Sequence, residues 1–357
     1  MSRNWETYVR KVVPYTPGEQ PKDKGIIKLN TNENPYPPCP GVFRALSEMD
    51  AGNLRKYPDP AVRDLTEALA ASKGLRTDQV FVGVGSDDVL AMCFLTFFNS
   101  QAPILFADIT YSFYDVWAAM LRIPYETVPL DERFRVVPED YFRDNGGIVI
   151  ANPNAPTGVA FPLEQLEAIL RANADQIVIV DEAYVDFGGE SAVNLIGSYD
   201  NLIVVQTFSK SRSLAGMRIG CAFANAKLIR YLNDVKYSFN SYTMNTPAIL
   251  AGTAALKDEA YFTETTGRVI ATRERVKPLL RSLGFSFEDS KTNFIFASHE
   301  TIPARELFEY LKTQKIYVRY WDKPRISNCL RITVGTDEEM DRLLAVLADY
   351  ISERNSH

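Results

Sequence analysis

The chain has 357 residues, 46% of them hydrophobic and 24% charged, the composition of an ordinary soluble globular protein with room for one large unit and a smaller one. Its net charge of −6 gives no general attraction to nucleic acid or an anionic membrane, so an anionic ligand must be held by local arginines or backbone amides. Only two histidines are present, one of them the last residue, which argues against a histidine triad or a histidine-rich metal site. The four cysteines (Cys39, Cys93, Cys221, Cys329) stand far apart without a CxxC pair and read as buried reduced thiols of a cytoplasmic protein. The longest apolar run, Val89 to Phe98, is too short to cross a bilayer, and the first residues lack the apolar core of a signal peptide.

Residues 1–40 are rich in proline, asparagine and tyrosine and read as an ordered arm packed near the C-terminal part. Helices are expected at Gly41–Met49 and Ala61–Ala71, the second with Val62, Leu65 and Leu69 on one face. The chain then alternates. Strands are expected at Val80–Val82, Ile104–Phe106, Ile148–Ile150, Ile177–Val180 and Leu202–Val205, with helices at Asp88–Phe98, Tyr114–Met120 and Leu163–Arg171 between them. Strands apolar on both faces and separated by helices predict an α/β architecture with a mostly parallel central sheet, spanning 41–255. Beyond Phe223 the pattern changes without a linker. Helices at Pro247–Leu256, Glu259–Ser282, Pro303–Lys312 and Asp337–Ile351, with strands at Asn293–Ala297, Ile316–Arg319 and Cys329–Val334, predict a smaller α+β domain over 256–357.

In a sheet of this kind ligands gather outside the carboxyl ends of the strands, so the residues that follow each strand are the ones to weigh. After Val80–Val82 comes Gly83-Val84-Gly85-Ser86-Asp87, either a phosphate cradle of backbone amides at a helix start or a plain capped turn. Tyr111 follows the second strand and can lie on a planar ring or pack in the core. Asn152-Pro153-Asn154-Ala155-Pro156-Thr157-Gly158 is a tight turn off a buried strand, with amides able to donate. Asp181 ends four apolar residues, where a carboxylate is costly unless it caps a helix or meets a cation. Lys210 stands just past the last strand, with Ser209 before it and Arg218 eight residues on; it either caps the sheet in solvent or is an amine nucleophile over a pocket.

One ligand uses all of these groups. Pyridoxal 5'-phosphate carries an aldehyde for Lys210, a ring nitrogen for Asp181, a phenolic oxygen for Tyr184 and an asparagine, and a flat ring for Tyr111. Its phosphate suits the Gly85, Ser86 and Asp87 amides, Ser209 and Arg218.

NPNAPTG, DEAY and SKSRSLAGMRIG, in that order, resemble the fold type I pyridoxal-phosphate-dependent transferases. With LNTNENPY (29–36), KYPD (56–59), GVGSDDV (83–89), TYSFY (110–114) and LRITVGT (330–336), nearly the whole chain resembles the histidinol-phosphate aminotransferase family, class II of the aminotransferases. The resemblance implies transamination of L-histidinol phosphate with 2-oxoglutarate in histidine biosynthesis, in two half-reactions through a Schiff base on Lys210. It implies Asp181 and Tyr184 beside that lysine as catalytic groups. Arg331 and Arg319 become substrate-anion arginines, and Tyr15 and Asn32 parts of an arm that closes over substrate. Tyr57 reaches the neighbouring subunit's cofactor phosphate, so a homodimer with shared active sites is implied. The family has asparagine directly before PTG where this chain has Ala155, which passes the contact to the phenolic oxygen to Asn154, Asn152 or Tyr184. Similar families use aromatic amino acids or decarboxylate threonine phosphate, and some regulators carry an aminotransferase-like domain behind a DNA-binding region. The arm beginning near residue 1 and the acidic charge disfavour a regulator.

Overall fold

The computed structural model describes residues 4–22 and 24–355; the terminal His357 lies outside them. Among the described residues thirteen strands form three sheets. The central one holds β2 (Val80–Gly83), β3 (Ile104–Ala107), β4 (Tyr125–Val128), β5 (Ile148–Ala151), β6 (Val178–Asp181), β7 (Leu202–Thr207) and β8 (Gly220–Ala224), in the order β2-β8-β7-β6-β5-β3-β4. All its pairings are parallel except those of β8, which runs antiparallel between β2 and β7. Along β6 and β7 the side chains alternate between two cores: Val178, Val180, Leu202 and Val204 on one face, Ile179, Ile203 and Val205 on the other. Burial on both faces is why these strands read as continuous apolar runs rather than alternating ones.

The chain beyond residue 256 builds a second layer. β9 (Phe285–Ser286), β10 (Phe294–His299), β12 (Arg319–Tyr320) and β13 (Leu330–Thr333) make a four-stranded antiparallel sheet. The helices Glu259–Ser282, Ala304–Thr313 and Asp337–Asn355 accompany it, around a core that includes Val276, Leu280, Ile295, Leu307, Ile332 and Leu343. From the arm, β1 (Ile27–Lys28) pairs in parallel with β11 (Ile316–Tyr317). Arm and C-terminal layer are thereby joined backbone to backbone.

Several expectations change. The helix drawn from Asp88 begins at Gly85, because Asp88 Oδ2 accepts from the Val84 amide at 2.9 Å and closes the first turn from inside. The helix drawn from Ala61 begins at Arg63; Val62 is buried but sits in the left-handed region (φ 52), outside the helical face. The run Ile316–Arg319 is two strands in two sheets, switching at buried Val318. A helix over Ala226–Phe239, between the expected elements, buries Leu228, Ile229 and Leu232 and is capped by Asn225, whose side chain accepts from the Leu228 amide at 3.0 Å. Its cap and its i, i+3, i+4 spacing were both legible. Strands β4 and β8 also stand where no strand was expected.

Candidate active site

The site lies at the rim where β5, β6 and β7 end. β6 and β7 are neighbours, with Asp181 opposite Val205, and the chain leaves β7 at Thr207 to turn through Ser209 and Lys210. Because β8 is antiparallel, its first residue Gly220 pairs with both Gly83 and Thr207, so Arg218 is delivered to the same rim. Gly220 must be glycine: a Cβ there would overlap the backbone of Gly85 and Ser86.

Lys210 Nζ donates to the Thr31 carbonyl of the arm at 3.0 Å and stands 5.8 Å from the centre of the Tyr184 ring. Burial, and then the like charge of Arg331, bring its pKa down to about 8, against the opposing pull of Glu33 and Asp87. An amine so placed is partly neutral near physiological pH, the form that attacks a carbonyl.

Asp181 is buried, and its hydrogen bonds come from neutral donors: Tyr114 Oη to Oδ2 at 2.7 Å and the Ala183 amide to Oδ1 at 3.2 Å. Burial raises its pKa to about 6, with those two hydrogen bonds opposing, so it is ionised at neutral pH without a cation among these partners. Tyr184 lies edge-on to Phe294 with centroids 5.1 Å apart, and its hydroxyl accepts from Asn32 Nδ2 at 2.9 Å. Burial raises the Tyr184 pKa, and the charge of Arg331 opposes the rise.

The helix Gly85–Phe97 starts without a side-chain cap, leaving the first-turn amides of Gly85, Ser86 and Asp87 without intrahelical partners. Arg218, in the left-handed region at φ 52, crosses this helix end; a Cβ on Gly85 would overlap its guanidinium. The Asp87 carboxylate sits between Arg218 Nη2 at 3.4 Å and Tyr111 Oη at 2.8 Å, so Asp87 holds both side chains in addition to presenting its amide. Ser209 is buried, with its hydroxyl accepting from Thr207 Oγ1 at 3.0 Å. The amide nitrogens of both asparagines in the 152–158 turn are already committed: Asn154 Nδ2 donates to Ile109 O and Thr157 Oγ1, and Asn152 Nδ2 to Phe161 O. Both hydrogens of the Asn154 amide are thereby spent, so Tyr184 and the remaining Asn152 hydrogen are the donors left for the phenolic oxygen.

From the C-terminal sheet come two arginines directly opposite each other in register, Arg319 on β12 and Arg331 on β13. The Arg331 guanidinium lies over Phe294 (5.3 Å) and Trp321 (5.1 Å) and donates from Nη2 to Asn30 O at 2.8 Å, while its buried Nε has no partner. Burial, and Arg319 beside it, lower its pKa. A half-buried guanidinium with a buried, unspent Nε donor and no carboxylate among its hydrogen bonds can receive an anion. Arg319 reaches the arm at Thr16 O (3.2 Å) and Pro17 O (3.4 Å). Tyr15, on the same arm, stacks on Phe113 at 4.2 Å and lies 6.5 Å from Tyr111. Asn32 is fixed by Thr333 Oγ1, which donates to its Oδ1 at 2.9 Å, and by Asn293, which donates to its carbonyl at 2.9 Å.

Tyr57 is not brought to this rim. It is 81% exposed and stacks on Tyr242 at 4.6 Å. Residues that sequence reasoning passed over also take part. Tyr114 read only as a helix start, and Thr31 and Asn30 act through carbonyls, which no side-chain pattern can reveal. Asn34 Nδ2 donates to the carbonyls of Lys210 (3.1 Å) and Ser211 (3.3 Å), pinning the lysine's turn to the arm.

These groups fit pyridoxal phosphate. The set holds an amine with a lowered pKa, an uncompensated buried carboxylate at the neighbouring strand end, and an uncapped helix start crossed by an arginine.

Residues 24–347 match the family described as aminotransferase class I and II. The chain is 50% identical to the histidinol-phosphate aminotransferase of Lactococcus lactis subsp. cremoris, over 98% of this chain and 99% of the relative. It is 53% identical to that of Brachyspira hyodysenteriae, over 93% and 94%. The solved histidinol-phosphate aminotransferase of Sinorhizobium meliloti, in complex with pyridoxal-5'-phosphate, superimposes with a TM-score of 0.84 at 26% identity, covering 92% of this chain and 91% of that one. The chain belongs to the class I and II aminotransferases, in the branch of the histidinol-phosphate aminotransferases.

Proposed function

We propose that this protein is a pyridoxal-phosphate-dependent aminotransferase that exchanges the amino group of L-histidinol phosphate with 2-oxoglutarate, a step of histidine biosynthesis. The observation that carries this reading is the pairing of a partly neutral amine at Lys210 with a buried, cation-free carboxylate at Asp181 on adjoining strand ends.

When bound, the cofactor supplies an electron-accepting ring that stabilises negative charge at the substrate α-carbon. Lys210 would hold the cofactor through its aldehyde carbon and, once the amino donor had freed it, would carry the proton from the substrate α-carbon to that aldehyde-derived carbon; positioned acid–base help of this kind is worth roughly 10²–10⁴-fold. Asp181 keeps a proton on the ring nitrogen, and Tyr114, donating to Asp181, aims it. The amides of Gly85, Ser86 and Asp87 hold the phosphate with Ser209 and Arg218, while Tyr111 covers the ring. Tyr184 serves the phenolic oxygen, with Asn32 behind it, and the Asn154 amide braces the turn below. Arg331 and Arg319 receive the anionic groups of donor and keto acid, and Tyr15 closes from the arm.

Tyr57, with exposed Phe43, Leu54 and Phe239, supports a homodimer in which Tyr57 reaches the partner's phosphate site. We read 41–255 as the cofactor-holding unit and 256–357 as the substrate-anion unit, with the arm of 1–40 between them. No described helix is long and apolar enough to cross a membrane, and we place the protein in the cytoplasm.

The test is a substrate panel with Lys210→Ala alongside. Wild type should form glutamate from 2-oxoglutarate with histidinol phosphate and release no carbon dioxide from threonine phosphate, and Lys210→Ala should lose both turnover and the visible absorbance of the attached cofactor. Normal transamination by Lys210→Ala would remove the proposed role.

A further inference from the structure

The two anion-binding arginines sit on one hairpin, and Arg325 stands midway between them, six residues after Arg319 and six before Arg331. It is used by none of the roles above. Its backbone is in the left-handed region at φ 67, a conformation unusual for a side-chain-bearing residue and kept where the surroundings fix it. From there it crosses to the central sheet. Nη1 donates to Asp108 Oδ2 at 2.9 Å, and Nη2 donates to the carbonyls of Leu130 at 2.9 Å and Asp131 at 2.7 Å. Its guanidinium also lies 5.8 Å from the Phe134 ring centre. Around it Phe296, Ile326 and Cys329 from the C-terminal layer pack with Ala107, Ile109 and Leu130 from the central one, and the polar pair Arg133–Glu288, at 3.0 and 2.9 Å, ties in a C-terminal segment different from the hairpin. Apolar contact resists separation but permits sliding. The fork of Arg325 sets direction and register.

What Arg325 grips matters as much. Asp108 directly follows β3, in the loop that carries Tyr111, and its other oxygen accepts from the Leu130 amide at 2.9 Å. The same loop is tied to the 152–158 turn, where Asn154 donates to Ile109 O and accepts from Thr110 Oγ1, both at 2.9 Å. At the other end of the hairpin loop, one indole lies within 5.2 Å of the Arg319 guanidinium and 5.1 Å of that of Arg331, so Trp321 moves with both. The ring-covering loop is thus tied through Asp108 to Arg325, and the hairpin loop carries the tie on, because Trp321 packs on the same apolar cluster as Ile326.

We propose that Arg325 is a positioning residue for substrate: it sets the distance of Arg319 and Arg331 from the cofactor rim, and so selects for substrates whose anionic group lies at that reach from the reacting carbon. This rests on the reading of those two arginines as the anion receptors. Such a residue contributes to binding of both half-reaction substrates without touching them, and leaves Lys210 and Asp181 in place.

Steady-state kinetics with histidinol phosphate and 2-oxoglutarate, on cofactor-loaded wild type, Arg325→Ala, Asp108→Asn, their double variant and Arg331→Ala, test it. Arg325→Ala should raise both KM values by about tenfold, the scale at which a misplacement of an ångström or less is felt, with kcat within about threefold and the cofactor absorbance unchanged. Asp108→Asn should move KM in the same direction by less, and the double variant should be no worse than Arg325→Ala, because both changes cut one path. KM values within about twofold of wild type in Arg325→Ala, a fall in kcat at constant KM, or multiplying effects in the double variant would each overturn the proposal. Should Arg325→Ala fail to fold, Asp108→Asn decides by the same split of KM from kcat. Raised KM in Arg331→Ala with none in Arg325→Ala sinks this inference alone; unchanged KM in Arg331→Ala sinks the anion-receptor reading beneath it.

Discussion

The lowered pKa of Lys210 makes the rate of cofactor capture a titration of one amine. At a pKa of about 8, roughly a tenth of the amine is neutral at pH 7; at the ordinary 10.5, about 0.03% is, so the fold raises the population of the attacking form near neutrality by about 300-fold. The cofactor-free protein is mixed with excess pyridoxal phosphate between pH 6.5 and 10, and the new visible absorbance is followed in a stopped-flow instrument. The initial rate should climb about tenfold per pH unit and bend to a plateau near pH 8. Arg331→Gln removes the second-largest cause of the shift, the like charge, and should move the bend upward. The same amine has a signature in stability. Between pH 8 and 10.5 the unfolded chain holds a proton that the folded Lys210 has lost, so the cofactor-free protein gains stability as pH rises through that window. A capture rate still climbing tenfold per unit at pH 10 would refute the reasoning, as would a bend that Arg331→Gln leaves in place.

The raised pKa of Asp181, about 6 against 3.8, means its burial favours the protonated form, a contribution to cofactor-free stability present below pH 3.8 and lost as pH rises through 6. The shift is worth about 3 kcal/mol, and Asp181→Asn forfeits about 1 kcal/mol of it by facing an amide toward one of two donors. The cofactor-free variant should therefore resist urea better than wild type at pH 7 by about 2 kcal/mol while losing transamination, and a less stable variant would contradict the account. Arg331→Ala deletes a charge-assisted contact worth about 1.5–3 kcal/mol, so kcat/KM for anionic substrates should fall roughly 10–150-fold; an unchanged value removes Arg331 from the site. Tyr114→Phe leaves Asp181 with one donor and should raise its pKa further, shifting the acid limb of the kcat/KM profile toward neutral pH; a superimposable profile would show that Tyr114 does not support Asp181. Gly220→Ala drives a methyl into the backbone of Gly85 and Ser86 and should cost about 1–3 kcal/mol with weakened cofactor retention, read by thermal melting and absorbance after dialysis.

Local pattern carried much of this protein. The apolar runs at Ile104, Ile148, Val178 and Leu202 are strands buried on both faces, and those at Ile104, Val178 and Leu202 lead into Tyr111, Asp181 and Lys210 at the rim. Asp181, Lys210 and Arg218, together with the Gly85–Asp87 turn, Tyr111, Tyr184 and Ser209, point in the sequence to the cofactor. What the fold alone decided concerns partners far apart in sequence. The direction of β8 puts Arg218 at the rim, the register of β12 on β13 sets Arg319 against Arg331, and Val318 sends one apolar run into two sheets. Likewise Tyr114 finds Asp181 across 67 positions, and the Asn154 amide is taken up by the Ile109 carbonyl and the Thr157 hydroxyl. Periodicity records which face of a segment leaves water. It holds nothing about which distant carbonyl, carboxylate or ring that face will meet, because that depends on how strands are ordered and turned against one another.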